Sequence, residues 1–154
     1  MTLTGNTLFL TNRVNQGMSS AVYRVPNTNH VAKVRDDGDS TALYYELEIA
    51  RRLHNAGIKV PKPIGLTKVL VLDGGKKVER PAFIQEEIEG TNVDDMHLFD
   101  FSLAHHADNL RRREIKKARE LGFIPGDAIA IGNAIYNEEE NITYLIDFED
   151  WLER

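Results

Sequence analysis

The sequence contains no cysteine. That absence excludes disulfides, thiolate zinc sites and cysteine nucleophiles together, and it is compatible with a reducing compartment. Nor does any stretch approach the ~18 consecutive apolar residues that a membrane span requires. The opening Met1-Thr2-Leu3-Thr4-Gly5 lacks the basic start and long apolar stretch of a secretory signal. Both absences point to a cytoplasmic chain without membrane partners, and they leave delivery into another cell open. Positive charge is not in excess, since 19 Lys+Arg stand against 24 Asp+Glu for a net charge of −5. Such a balance argues against a protein wrapped in nucleic acid. No internal repeat or low-complexity segment breaks the 154 residues, which read as one domain or as two small lobes sharing a cleft. With 42% hydrophobic residues the chain is long enough to bury a real core.

What is present falls into two halves. Leu8-Phe9-Leu10, Ala21-Val22-Tyr23-Arg24-Val25 and His30-Val31-Ala32-Lys33-Val34 read as strands separated by the turn-rich Asn15-Gln16-Gly17 and Pro26-Asn27-Thr28-Asn29. Residues 39–55 read as a helix that Asp39 or Ser40 can cap and Gly57 can end before Pro61 and Pro63. The turn Asp73-Gly74-Gly75 between Lys68-Val69-Leu70-Val71-Leu72 and Pro81-Ala82-Phe83-Ile84-Gln85 predicts a hairpin. In the second half, Leu103, Ala107, Leu110, Ala118 and Leu121 fall on one helical stripe, with Gly122 as a stop. A second hairpin is expected from Asn133-Ala134-Ile135-Tyr136 and residues 142–146 around Asn137-Glu138-Glu139-Glu140-Asn141.

Several side chains in this frame can carry chemistry. Small and turn-forming residues across 15–22 could let backbone N–H groups hold phosphate oxygens, although with a single Gly a plain β-turn is the commoner reading of such a stretch. Alternation puts Lys33 on a strand face with Val31 and Arg35, either as a solvated edge cation or as a partner for a buried carboxylate. Helical spacing places Glu46 within the apolar arc of Leu43, Leu47, Ala50 and Leu53, where an unpaired charge is costly, or else at its hydrated rim. Glu48 points the opposite way and is expected to pair with Arg52. Asp127, Asn133 and Asp147 gather oxygen ligands near the second hairpin, a donor set suited to a hard cation such as Mg2+, with a carboxylate to spare as a base.

Taken in order, a Gly-bearing turn, a strand lysine, a helix glutamate and Asp…Asn…Asp-Phe resemble the protein kinase-like superfamily. Asn15-x-Gly17-x-x-Ser20-x-Val22 is similar to the glycine-rich loop, and Val31-Ala32-Lys33 to the lysine strand. Residues 83–90 resemble the inter-lobe hinge, and Leu121-Gly122-Phe123-Ile124-Pro125-Gly126-Asp127 with Gly132-Asn133-Ala134 resembles the catalytic loop of RIO-like and aminoglycoside-phosphotransferase-like branches. Leu145-Ile146-Asp147-Phe148-Glu149 is similar to their metal-binding strand end. The pattern departs from the family at Pro125, where His is usual, at Glu149, where Gly is usual, and in the six-residue step from Asp127 to Asn133.

The resemblance implies an α+β, two-lobed fold. Its N-lobe (about 1–86) would be an antiparallel sheet with one main helix, followed by a hinge (87–90) and a reduced helical C-lobe (91–154). Only seven residues follow Asp147, so the resemblance implies a nucleotide and catalytic kernel without the helices that build a substrate platform. It further implies ATP held by Asn15, Gly17, Ser20, Val22 and Lys33, with Glu46 positioning Lys33 and the backbone of Glu86 and Ile88 bonding adenine. Asn133 and Asp147 would bind Mg2+, and Asp127 would accept the proton of an attacking Ser or Thr hydroxyl on a protein substrate. A small-molecule acceptor and a catalytically inactive nucleotide-binding or docking module are the alternatives, the latter motivated by Pro125 and the lengthened loop.

The remaining signals are plainer. Arg111, Arg112, Arg113, Lys116, Lys117 and Arg119 make a basic stretch that reads as a solvated helix face or as a docking surface. It lacks the interleaved aromatics of a nucleic-acid site. His105 and His106 are adjacent and cannot share a metal as an i, i+4 pair could, so they read as surface or connector residues. Tyr44 and Tyr45 are expected to pack.

Overall fold

The computed structural model describes residues 7–16, 20–126 and 133–153. Gly17 and Asp127 therefore lie outside the described residues, as do the side chains of Asn15 and Gln16. The fold is α+β, and its internal contacts divide it into two compact units, Met1–Leu47 with Pro63–Glu87, and Glu48–Lys62 with Ile88–Arg154.

The first unit is built on a six-stranded sheet. Its strands are β1 (Leu8–Phe9), β2 (Arg13–Gln16), β3 (Ser20–Arg24), β4 (His30–Arg35), β5 (Pro63–Asp73) and β6 (Lys76–Glu86), in the spatial order β1-β5-β6-β4-β3-β2. Neighbours joined by tight turns are antiparallel, as expected, and so are β4 and β6, which α1 and β5 separate in sequence. The outer strand β1 differs, running parallel to β5 with Leu8 opposite Val69. The expected all-antiparallel sheet is thus mixed, because β1 reaches its neighbour through the rest of the sheet and not through a hairpin. The Gly74-Gly75 turn joins strands far longer than the sequence runs suggest, with ten paired positions from Asp73↔Lys76 to Pro63↔Gln85. One side of the sheet closes over Leu10, Ala21, Tyr23, Val25, Val34, Val69, Val71 and Ile84, all buried. Each fully buried aliphatic of this kind contributes about 1.5–3 kcal/mol, which locks the register.

Helix α1 (Ser40–Asn55) starts where Asp39 Oδ1 accepts from the N–H groups of Thr41 (2.9 Å) and Ala42 (3.2 Å). It ends as Gly57 N–H returns to the His54 carbonyl (3.1 Å) and Ile58 N–H to that of Leu53 (3.0 Å). Leu43, Glu46, Leu47, Ala50 and Leu53 are all buried, so the predicted arc holds with its glutamate inside. Tyr44 and Tyr45 do not pack as expected. They are 57% and 36% exposed, since one and two steps of 100° carry them off the Leu43 stripe. Glu48 meets Arg51 at 3.3 Å, one position short of the expected partner, and Arg52 forms an ion pair with Glu153.

The second unit combines short strands with helices. Its further elements are β7 (Thr91–Asn92), α2 (Val93–Met96), α3 (Phe101–Glu120), β8 (Phe123–Ile124), β9 (Ala134–Asn137), β10 (Ile142–Leu145) and β11 (Leu152–Glu153). Asp100 caps α3 by accepting from Leu103 N–H at 2.9 Å. The buried stripe of α3 comprises Ala104, Ala107, Asp108, Arg111, Glu114, Ile115 and Ala118, spaced three and four apart. Two corrections follow from that spacing. Leu121, expected on the stripe, is 54% exposed, and Arg111, expected on a solvated face, is buried at 5% exposure. Arg111 holds Asp108 at 2.7 Å, the exposed Arg112 holds the other oxygen of Asp108 at 3.0 Å, and Lys117 pairs with Glu114 at 2.7 Å. Half of the basic stretch is therefore paired with the helix's own carboxylates. Burial raises the Asp108 pKa, but the two guanidinium groups outweigh it and hold the carboxyl below its ordinary value. Among the described residues no helix is long and apolar enough to cross a membrane.

Candidate functional site

In the first unit the site is organised by β4. This strand lies between β3 and β6, with Lys33 opposite Val22 on one side and Phe83 on the other, so ladders on both sides fix the Lys33 backbone. Lys33 is 6% and Glu46 3% exposed. The ammonium lies 3.0 Å from each oxygen of the Glu46 carboxylate. The structure thus chooses between the sequence alternatives: Lys33 is no solvated edge cation, and Glu46 is no rim residue. A fully desolvated pair of this kind breaks even at best against apolar packing, so stability alone does not explain it.

Around this pair, Val22 is half-buried directly opposite Lys33, and Asn15 pairs with Val22 across β2–β3 beyond a register shift. Ser20 is buried opposite Arg35, and its hydroxyl has no hydrogen-bond partner among the described residues. Buried hydroxyl groups without a partner are uncommon and ask for one. Glu86 closes β6 opposite His30. Immediately beyond it, Glu87 N–H donates to the Asn29 carbonyl (2.8 Å) while its carboxylate takes Arg24 Nε at 2.8 and 3.1 Å. These bonds set the direction of the chain as it leaves the sheet. Ile88 follows, half-buried, in the irregular stretch before β7.

In the second unit, antiparallel β9 and β10 pair from Ala134↔Leu145 to Asn137↔Ile142. Asn133 stands just before β9, and its carbonyl accepts from Ile146 N–H at 3.1 Å. Asn133 and Asp147 are thereby brought to one end of the hairpin, as the sequence order anticipates. Asp147 adopts φ 68°, a left-handed conformation that costs a non-glycine residue about 1 kcal/mol or more. Its neighbours impose it. On one side Ile146 is bonded to Asn133, and on the other Phe148 is buried edge-on against Trp151 at 5.4 Å, with Trp151 N–H returning to the Phe148 carbonyl (3.1 Å). Carboxylate oxygens of Asp147 and Glu149 lie within 4.8 Å of each other. Sequence reasoning placed Glu149 at the end of the metal-binding motif and noted it as a departure but gave it no ligand role, although an Asp-x-Glu step in a tight turn is the signal for such proximity.

Asp127 itself is not among the described residues, but both flanks of its segment are. β8 pairs with β11, Ile124 opposite Leu152. Gly126 lies so close to Asp150 that an added Cβ would overlap the Asp150 carbonyl oxygen and come within 2.5 Å of its Cβ. At the other flank stands the Asn133–Ile146 bond. The described residues on either side, Gly126 and Asn133, thus both contact the stretch that carries Asp147. A second close approach seats β7 on β9. At Gly90 (φ 149°) a Cβ would strike the Tyr136 carbonyl, so only glycine lets these backbones meet. Neither glycine was singled out from the sequence, where no local pattern marks such contacts.

A crystal structure of WbdD matches this fold with a TM-score of 0.59 at 17% sequence identity, over 94% of this chain and 33% of that one. The chain thus spans about a third of the length of WbdD. No protein-family model matches the sequence, and no curated protein does. At this level of identity the likeness to WbdD is one of fold.

Proposed function

We propose that the protein is a kinase-like phosphotransferase that uses ATP and Mg2+ to phosphorylate a Ser or Thr hydroxyl of a protein. The observation that carries this reading is the buried Lys33–Glu46 pair, with the ammonium 3.0 Å from both carboxylate oxygens. A desolvated charge pair that packing could replace at no loss is a functional-site signal. In this reading Glu46 holds the Lys33 ammonium rigid for phosphate oxygens, beside the turn of Asn15, Gly17, Ser20 and Val22. The orphaned Ser20 hydroxyl supports a polar ligand at that turn. The backbone of Glu86 and Ile88 would bond adenine.

The donor chemistry of the second unit fits a hard cation, with the Asp147 carboxylate and the Asn133 amide oxygen as ligands and the strained Asp147 backbone held from both sides. When bound, MgATP supplies the transferable phosphoryl group and the positive charge against its oxygens. Asp127 would orient the acceptor hydroxyl and take its proton. The contacts of Gly126 and Asn133 with the Asp147 stretch support this reading.

The test is transfer of labelled phosphate from ATP with Mg2+ by purified protein, to itself and to a cell lysate. Lys33→Met, Asp127→Asn and Asp147→Asn should each lower the rate by about 100-fold or more, with the fold intact by circular dichroism. Wild-type protein that binds Mg-ATP without transfer would sink the reading and leave an inactive nucleotide-binding module. A small-molecule acceptor is the second reading, favoured by Glu149 beside Asp147. ADP release in a metabolite screen, without labelling of protein, would establish it instead.

A further inference from the structure

The second unit contains a small cleft of about 160 Å³, lined among others by Lys59, Arg113, Glu114, Lys117, Asn141 and Thr143. It is small beside the ~300–1,000 Å³ of whole small-molecule sites, so it suits a single functional group and no nucleotide. Its polar side chains divide sharply by what they still have to offer. The buried Glu114 is committed on both oxygens, to Lys59 N–H at 2.8 Å and to Lys117 Nζ at 2.7 Å. The Thr143 hydroxyl donates to the Ala107 carbonyl at 2.8 Å. Asn141 Oδ1 accepts from the Tyr136 hydroxyl (2.8 Å) and from His106 Nε2 (2.7 Å), which fixes the amide's orientation and leaves its NH2 uncommitted among the described residues. The Lys59 ammonium and the Arg113 guanidinium likewise have no partner among the described residues.

Every uncommitted group is thus a donor, and two of the three are cationic, in a chain of net charge −5. An ammonium, a guanidinium and an amide lining one cleft match a group with several acceptor oxygens better than a two-oxygen carboxylate. Strand β10 is the outer strand of its sheet; its Leu145 N–H donates to the Lys59 carbonyl (2.9 Å), and its Ile142–Thr143 end lines the cleft, where the residues flanking a bound side chain would lie.

We infer that this cleft binds the phosphate monoester of a phosphorylated side chain on a partner protein. The inference goes beyond phosphoryl transfer and stands without it, since its test needs neither nucleotide nor turnover. The probes are the tripeptide acetyl-Ala-phosphoserine-Ala-amide, its unphosphorylated form, inorganic phosphate and a single-stranded RNA oligonucleotide. Each is titrated into the full chain while the NMR signals of the Asn141 side-chain amide and Arg113 Nε are followed.

The phosphorylated tripeptide should shift both signals saturably, and the unphosphorylated form should shift neither. Arg113→Gln and Lys59→Gln should each weaken binding about tenfold, as expected for loss of a charge-assisted hydrogen bond. Asn141→Asp keeps the acceptor for Tyr136 and His106 but turns the free donor into a carboxylate oxygen, and it should abolish binding. Equal shifts from both tripeptides, or binding indifferent to Arg113→Gln, would overturn the inference. So would inorganic phosphate binding as tightly as the tripeptide, which would mean a free-anion site. RNA binding tighter than the tripeptide would make the cleft part of a nucleic-acid surface and overturn it as well.

Discussion

Each compact unit buries an ion pair, and the two pairs are built differently. In the first unit Lys33 and Glu46 come from a strand and a helix, thirteen residues apart, and both are closed off from water. In the second, Asp108 and Arg111 sit one turn apart on the same helix, with Arg112 adding a second guanidinium from the solvent side. The local pair forms whenever α3 forms and ties a helix turn to itself. The long-range pair forms only when β4 and α1 are docked in register, and it holds an ammonium where it would otherwise swing. Desolvation is incurred in both, but only the first fixes one element against another, which is why the first is the candidate for chemistry and the second for stability.

The largest effect should come from breaking the long-range pair on one side. Glu46→Ala strands a buried ammonium and should cost about 3–5 kcal/mol in urea denaturation. Replacing both partners, Lys33→Met with Glu46→Leu, should restore most of that stability while phosphoryl transfer stays lost. A double variant as unstable as Glu46→Ala would show that the pair holds the fold and is not kept for function. Arg111→Ala should cost less, about 2 kcal/mol, because Arg112 still neutralises Asp108. Equal losses for Glu46→Ala and Arg111→Ala would erase the contrast between the two designs.

That contrast also explains how much could be read before the structure. Glu46 was legible because a carboxylate inside the arc of Leu43, Leu47, Ala50 and Leu53 must have a partner, and β4 offers a lysine. Arg111 was not, because a run of Arg and Lys reads as solvated unless the buried stripe is already placed, and Asp108 and Glu114 belong to that stripe too. The strands of the first unit were visible as apolar runs except β2, where the polar Asn15 and Gln16 read as a turn but pair with Val22 and Ala21. Two-residue strands such as β8 and β11 carry no pattern of their own and exist only through partners far along the chain, and for β1 the run Leu8-Phe9 was legible but its parallel pairing with β5 was not. At the candidate site the positions of Asn133 and Asp147 followed from a legible hairpin. The left-handed Asp147 and the close approaches of Gly90 and Gly126 depend on backbones from distant segments, which local sequence does not encode.

Acid provides a gentler probe of the local pair. The folded state holds the Asp108 carboxyl below its ordinary 3.8, although burial alone would raise it. A depressed carboxyl stabilises the fold fully above the unfolded pKa, and that contribution fades as pH falls through the folded one. Asp108→Asn keeps an acceptor for Arg111 but loses the charge, so it should cost about 1 kcal/mol near pH 7. The difference between wild type and variant should then close as pH drops below 3.8. Comparing the two proteins removes the common background of other acids, such as the exposed Asp37, which Arg35 and the Asp39 N–H hold down to about 2. A difference that is constant from pH 7 to acid would show that Asp108 acts by packing and not by charge.

Arg111 and Arg112 offer the cleanest separation of burial from charge, since they are the same residue type, adjacent in sequence and bonded to opposite oxygens of one carboxylate. Only their surroundings differ, with side chains 6% and 70% exposed. Arg112→Ala should therefore cost less than about 0.5 kcal/mol, the range of an exposed i, i+4 pair. Salt extends the argument. At 1 M the screening length falls to about 3 Å, which removes most of what a solvent-side guanidinium contributes but leaves a desolvated one largely untouched. The small loss in Arg112→Ala should vanish in high salt while the larger loss in Arg111→Ala persists. If both shrink alike, water reaches Arg111, and Asp108–Arg111 is a surface pair after all.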